Sequence, residues 1–450
     1  MAAADEVAYG YVSLFSGGGF GDIGIAYGCA IPLIACCELL PERTEILRRL
    51  FPSSSVHAGD IWDVGPDVIH ETRRRIGSDR RPWLLVMSPP CQGMSSNGKG
   101  RIGVGVERGT RPEVDPRNRL LLPALDIVDA LQPEWVVIEN VKHMRHTSIP
   151  NEHADREALL DLLRRRLDTY RVDARVLDAA DYGVPQRRER LITICSRRRV
   201  DALYHSPPSH GVHAARPHVT LSEATRHLSP LDARQCATDP SDSLHCVPKW
   251  TSAQYFCMMH TPEGATAFDN AVCVECDTEQ ADAAAVDCER CGKPLPRPTV
   301  SKTVWQCATC GAKVAQRRAR CANGHPRTAD AVQTTERRLV RAFRTSYRRM
   351  PGNRPASTLT TNSGVISSDV KGHPFENRVL SVREVLIVAS LAGYPAFHPP
   401  WSAAEAVIAS LPHRLVRTVA GESIPPRLLH AVVGHLAALD RATLARARVA

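Results

Sequence analysis

Five short apolar runs punctuate the first 200 residues: YVSLF at 11–15, PLIACC at 32–37, WLLVMS at 83–88, WVVIEN at 135–140 and RLITICS at 190–196. Runs of this length, bounded by turn residues, read as buried strands. Amphipathic stretches at 42–51, 117–131 and 152–169 alternate with them as helix candidates. Repeated strand–helix units of this kind build a doubly wound α/β fold around a mainly parallel sheet. After Ser196 a Pro-, His- and Arg-rich stretch marks a second domain. Helical patterning returns with Ser381 and Glu384 as a capping box before a helix that Gly393 can end, and a last helix follows Pro425-Pro426.

A chain of 450 residues has room for two or three domains. With 43% apolar and 23% charged residues it is globular in composition, which excludes global disorder. No run of about 18 apolar residues is present, so no membrane span is expected. The start MAAADEVAYGYVSLF lacks the basic and apolar regions of a secretory signal.

The net charge of +9 is local. Residues 301–350 hold twelve Lys or Arg against Asp330 and Glu336, while the rest of the chain is close to neutral. Such a window suits a polyanion such as nucleic acid, although a solvated arginine face has the same composition. If 331–349 is helical, Leu339 and Phe343 pack inward and Arg337, Arg338, Arg341 and Arg344 spread over the exposed surface.

Seven of the fifteen cysteines lie between Cys273 and Cys321. They form Cys273-x2-Cys276-x11-Cys288-x2-Cys291 and Cys307-x2-Cys310-x10-Cys321-x3-His325, with Gly292 and Gly311 directly after two of the pairs. Paired cysteines at this spacing, without a secretory signal, point to two closed tetrahedral zinc sites with a structural role.

The first strand runs into Phe15-Ser16-Gly17-Gly18-Gly19-Phe20-Gly21. Glycines at such a turn let the backbone approach a ligand, though many α/β proteins use them for structural reasons alone. Glu38, 21 residues after Gly17, ends the second strand, where an acid accepts ribose hydroxyls; Asp60 follows the third strand and can receive an adenine amino group. Together they suggest an adenosine-containing ligand. Ser88-Pro89-Pro90-Cys91-Gln92 stands at the end of another strand, where open α/β sheets bind ligands. Two prolines there hold the Cys91 thiol toward the crevice as a nucleophile, against the alternative of a small buried hydrophobe. The Gly-rich loop from Gly93 to Gly109 reads as a lid or as a solvated linker. Glu139-Asn140-Val141 ends the next strand, so its carboxyl can face the same substrate as a proton donor, where a lone Glu would otherwise be a cap or surface group. In Gln186-Arg187-Arg188-Glu189-Arg190, alternation puts Arg188 and Arg190 on one face.

In order, FSGGGFGDIG, CE at 37–38, GDI at 59–61, SPPCQGMSSNGKG, ENV, QRRER, RVLSVRE at 378–384 and GESIPPRLLHAV resemble the DNA (cytosine-5) methyltransferase family. The likeness covers about two-thirds of the chain and leaves 197–350 unmatched. It implies an enzyme that uses S-adenosylmethionine and flips a cytosine out of duplex DNA. By that resemblance Cys91 adds to C6 of the base, Glu139 holds and protonates N3, and Arg188 and Arg190 line the cytosine pocket. Phe15, Gly17, Gly19, Glu38, Asp60, Ile61 and Pro90 hold the cofactor. The domains then read as a catalytic part at 1–196, a target-recognition part at 197–375 with zinc knuckles at 273–325, and a C-terminal part at 376–450 returning to the catalytic domain. Double-stranded DNA is the implied partner of a cytoplasmic, nucleoid-associated monomer, with a cognate restriction or defence system beside it. Three positions depart from the family: Phe20 replaces a glycine, Leu39 an aromatic that stacks on adenine, and Glu422 an asparagine. A carboxylate at 422 repels the methionine carboxylate of the cofactor unless it is turned away or protonated. A nicotinamide oxidoreductase shares the glycine turn and Glu38 but does not account for Cys91, Glu139 and the arginines. A DNA-binding module without turnover and an RNA cytosine methyltransferase are the other readings.

Overall fold

The computed structural model describes residues 7–90, 116–198 and 204–449, so Cys91 and the glycine-rich loop after it lie outside the described residues. The chain divides into two compact units. The first comprises residues 1–227, 353–361 and 384–450, running past Ser196 to His227; the second comprises 228–352 and 362–383.

A seven-stranded sheet organises the first unit. Its elements in chain order are β1 (Val7–Leu14), β2 (Leu33–Glu38), α1 (Pro41–Leu50), β3 (Ser55–Ala58), α2 (Ile61–Ile76), β4 (Arg81–Met87), α3 (Leu121–Leu131), β5 (Trp135–Val141), α4 (Leu159–Arg166), β6 (Arg171–Asp178) and β7 (Glu189–Ser196). The strand order is β3-β2-β1-β4-β5-β7-β6. The first five strands are parallel, and β7 runs antiparallel to both β5 and β6. Leu84, Leu85, Val136 and Val137 have no exposed surface, as strands covered on both faces require. The 152–169 stretch gives a shorter helix than its pattern predicts, because Arg156–Ala158 pairs antiparallel with Ser148–Pro150 before α4 begins.

Further helices in the chain's last third include α5 (Val382–Val388), α6 (His413–Glu422) and α7 (Pro426–Val449). Helix α5 starts directly after Ser381 but stops at Val388, well before Gly393, and Ser390 takes a left-handed φ of 59°. Helix α7 buries Leu428, Leu429, Val432, Val433 and Leu436. No helix among the described residues is long and apolar enough to cross a membrane.

In the second unit β8 (Thr299–Gln306) pairs antiparallel with β9 (Lys313–Ala315) and with β10 (Gln333–Leu339). The 331–349 segment is therefore strand rather than helix at its start. Thr334 and Thr335 are β-branched, and their ladder with β8 outweighs a weak helical pattern. Phe343 is exposed rather than packed inward. Arg337 pairs with Asp287 and Arg344 with Asp269, while Arg349 is buried and donates to the carbonyls of Met258, Thr261, His373 and Glu376. Arg337 and Arg349 serve the unit itself and Arg344 pairs at its surface, while Lys302, Lys313, Arg317, Arg318, Arg320 and Arg341 are exposed, with Arg317, Arg318 and Arg320 the densest group.

One buried carboxylate clasps α7 to the sheet. Asp440 Oδ2 accepts the indole N–H of Trp83 on β4 at 2.6 Å and of Trp135 on β5 at 3.2 Å. Asp440→Ala strands two buried donors and is expected to destabilise the protein by about 2–4 kcal/mol. Urea denaturation followed by tryptophan fluorescence checks this: an unshifted midpoint contradicts the clasp.

Candidate functional site

Strands β2 and β4 flank β1 on opposite sides, so the connections leave in opposite directions and open a crevice beyond the carboxyl ends of the strands. A cavity of about 600 Å³ occupies it. Phe15, Gly17, Glu38, Asp60, Ile61, Pro90, Glu139, Arg188 and Arg190 all line this cavity. Nine site residues spread over 175 positions are thus brought together by strand ends alone.

At one end, Glu38 holds the glycine turn. Its Oε2 accepts from Gly17 N at 2.9 Å and its Oε1 from Leu40 N at 3.0 Å. Gly17 adopts φ 56°, which a side chain would strain. Gly19 does not line the cavity: a Cβ there would meet Leu47 and Phe51 at 2.7 and 2.8 Å, so this glycine lets the turn pack on α1 and its following residue. Asp60 caps α2 by accepting from Trp62 N at 3.1 Å.

At the other end, antiparallel pairing of β5 with β7 sets Glu139 opposite Ile192 and Val141 opposite Arg190. Glu139 and Arg190 are therefore diagonal neighbours on one face. Arg190 Nε lies 2.8 Å from Glu139 Oε1, with both side chains largely buried. Asn140 Nδ2 donates to the Pro89 carbonyl at 3.2 Å, which ties the turn before Cys91 to the end of β5.

Arg188 takes a different task from the one its alternation suggests. It is fully buried, and its guanidinium donates to the carbonyls of Leu359, Gly421 and Glu422 at 2.9–3.1 Å. Burial pushes its pKa well down, with Arg190 adding to the effect. It pins two backbone segments, at 359 and at 421–422, around the cavity while still lining it.

Sequence reasoning missed Asp22 and Arg43 in the cavity wall. Burial raises the Asp22 carboxyl to about 7, against hydrogen bonds from Ser13 and Tyr11. Arg43, in the first turn of α1, forms an ion pair with Glu422 at 2.6 Å. No local pattern marks either residue. Asp22 lies in a glycine-rich turn, and Arg43 in an ordinary charged helix.

The cysteine motifs close into two clusters, Cys273/Cys276/Cys288/Cys291 and Cys307/Cys310/Cys321/His325, with the ligand atoms of each within 4.8 Å of one another. Sulfur pairs stand 3.6 Å apart in the first and 3.8 Å in the second, and His325 Nδ1 lies 3.5 Å from Cys321 Sγ. A tetrahedral zinc with sulfur at about 2.3 Å has edges of roughly 3.8 Å, so both clusters can hold such an ion. Gly292 and Gly311, at φ 71° and 68°, let their N–H groups turn back onto Cys288 and Cys307, closing matching knuckles. The Thr278 hydroxyl beside Cys276 pulls that thiol down to about 6, toward the thiolate a metal needs.

Residues 9–438 match the family described as C-5 cytosine-specific DNA methylase. A type II methyltransferase of Avibacterium volantium, M1.HgaI, is 25% identical over 93% of this chain and 95% of its own length. M.AquIA of Picosynechococcus is 32% identical over 44% of this chain and 76% of its own length. The solved structure of a DNA modification methyltransferase encoded within an Escherichia coli prophage shares the fold, with a TM-score of 0.54 and 16% identity over 96% of this chain and all of that one. A family match running from the first strand into the last helix establishes that this chain belongs to the C-5 cytosine-specific DNA methylases and is a DNA cytosine methyltransferase.

Proposed function

We propose that the chain transfers a methyl group from S-adenosylmethionine to C5 of a cytosine flipped out of duplex DNA, through a covalent bond between Cys91 and C6. The observation that carries the reading is one cavity shared by the Glu38 and Asp60 end and the Glu139–Arg190 pair, with Pro89-Pro90 leading into Cys91. The residues fit an adenosine. Glu38 keeps lone pairs for ribose hydroxyls beyond its two backbone bonds, Asp60 and Ile61 stand at the next strand end, and Phe15 and Pro90 add apolar wall. The volume lies within the range of small-molecule sites. When bound, S-adenosylmethionine supplies an electrophilic methyl group.

C5 of an unperturbed cytosine is a poor nucleophile. Attack of the Cys91 thiolate forms the S–C6 bond and moves the C5=C6 electron pair into the ring, while Glu139 delivers a proton to N3. The resulting enamine makes C5 nucleophilic. Once C5 carries the methyl group, N3 returns its proton to Glu139, the C5 proton leaves to water, the C5=C6 double bond reforms, and Cys91 departs as thiolate. Arg190 orients the Glu139 carboxyl, and its positive charge beside the crevice favours thiolate over thiol. Asn140 keeps the Pro89 turn in register with Glu139.

Residues 197–375 are read as the target-recognition part, with zinc at both cysteine clusters. The apolar groups around each cluster are few: Cys273, Cys288 and Leu295 in one, and Trp305, Cys307, Val314 and Cys321 in the other. Metal binding supplies folding energy that such small cores lack. The exposed arginines at 317, 318 and 320 contact DNA phosphates. Relatives named type II methyltransferases support a restriction–modification partner.

Cys91→Ser is expected to abolish methyl transfer and to prevent the covalent complex that the wild type forms on DNA carrying 5-fluorocytosine, read on a denaturing gel. Retained turnover rejects the assignment. Glu139→Gln slows single-turnover transfer by about 10²-fold or more, with cofactor affinity little changed; equal loss of both indicates a structural role.

Metal analysis of protein purified without chelator is expected to find about two zinc ions per chain. Chelation lowers stability and DNA affinity together, and metal-free protein with undiminished DNA affinity contradicts the structural role.

Arg317, Arg318 and Arg320 replaced together by Gln flatten the dependence of log K on log salt by up to about 0.9 for each phosphate left unneutralised. The preferred sequence stays the same. An unchanged slope places the footprint elsewhere.

A further inference from the structure

The cavity wall carries five carboxylates, Asp22, Glu38, Asp60, Glu139 and Glu422, and the last of these stands beside a guanidinium. Glu38 spends charge on two backbone N–H groups. Glu422 has no such backbone partners and meets the guanidinium of Arg43, Nη2 to Oε2 at 2.6 Å. The pair joins the first turn of α1 to the last residue of α6. Burial pushes the Glu422 carboxyl up; Arg43 acts against it, Glu38 and Glu42 act with it, and the positive charge of Arg188 acts against it. Arg188 has given both of its Nη groups to carbonyls and keeps only its Nε, whereas Arg43 spends one Nη on Glu422, so Arg43 has the greater capacity to spare.

That capacity is visible in the structure. Arg43 is mostly buried, and its Nε has no hydrogen-bond partner among the described residues. A guanidinium presents five N–H donors in a planar fork and can serve two carboxylates at once, which an ammonium on a flexible stem does less well. S-adenosylmethionine carries one anionic group, the carboxylate of its methionine end.

We propose that Arg43 selects the amino-acid carboxylate of the ligand: paired with Glu422, it cancels that charge and offers its remaining donors to the incoming carboxylate. The proposal rests on the S-adenosylmethionine reading of the cavity. It also explains how the chain accommodates a glutamate at 422, since the repulsion expected there is neutralised by a neighbour from another helix. Arg43 is thus a specificity-determining residue for the cofactor.

Calorimetric titration of the full chain with S-adenosylhomocysteine and with 5′-methylthioadenosine tests it, because the second ligand keeps the nucleoside and thioether but has no carboxylate. Arg43→Gln is expected to weaken S-adenosylhomocysteine by about tenfold or more, and 5′-methylthioadenosine by less than about threefold. Adding Glu422→Asn to Arg43→Gln removes the uncompensated carboxylate and recovers part of the loss. Equal weakening of both ligands makes the pair a structural tie and overturns the proposal, as does an unchanged affinity for S-adenosylhomocysteine. If Arg43→Gln does not fold, Arg43→Lys carries the same comparison, with selective loss of S-adenosylhomocysteine expected and equal loss of both ligands overturning. A wild-type chain that binds neither ligand refutes the cofactor reading itself and the proposal with it.

Discussion

The pairing of β1 between β2 and β4 is the constraint on which the rest of the first unit depends. Because the chain winds to one side through β2 and β3 and then returns to the other through β4 and β5, a crevice opens beyond the carboxyl ends of β1 and β4. The apolar interiors of these strands have only one low-energy arrangement, buried on both faces. Their polar ends then project together. Glu38, Asp60, Pro89-Pro90 and Glu139 reach one cavity because each ends or follows a strand of the same parallel set.

Much of the charge in this site is buried, and the pairs that form there are suited to their work. Glu139 has Arg190 across an antiparallel ladder. Arg188 has three carbonyls, which ties residues 359, 421 and 422 to the start of β7 and offsets much of the cost of removing a guanidinium from water. Glu422 has Arg43. A substitution that looks damaging in one motif is answered by a residue in another helix, and the pair has to be judged as a unit.

The second unit solves a different problem. Its apolar cluster around Trp250, Met258, Tyr347 and Val379 is modest, and the cysteine clusters stand on still smaller ones. Arg349 acts there as a polar core, collecting carbonyls from four residues that no apolar side chain could satisfy. A basic window read as one footprint thus contains arginines of two kinds, those spent inside the unit and those left at its surface.

The seven-stranded sheet was legible in the sequence wherever a strand is buried on both faces, since five apolar runs fall on β1, β2, β4, β5 and β7. Strand β6 was not, because Arg171–Asp178 is an edge strand with an exposed, polar pattern. The metal clusters were legible because ligand spacing within a knuckle is a local property. The residues of the cavity could be named from motifs, but their tasks could not. Alternation put Arg188 and Arg190 on one face, and only the packed structure gave Arg188 to backbone carbonyls and Arg190 to Glu139. What the sequence alone determined is what depends on near neighbours: strand cores, glycine turns and cysteine knuckles. Tertiary structure decided which charges meet, as Arg43 does Glu422 across 379 positions, because ion pairing depends on distance in space and carries no period along the chain.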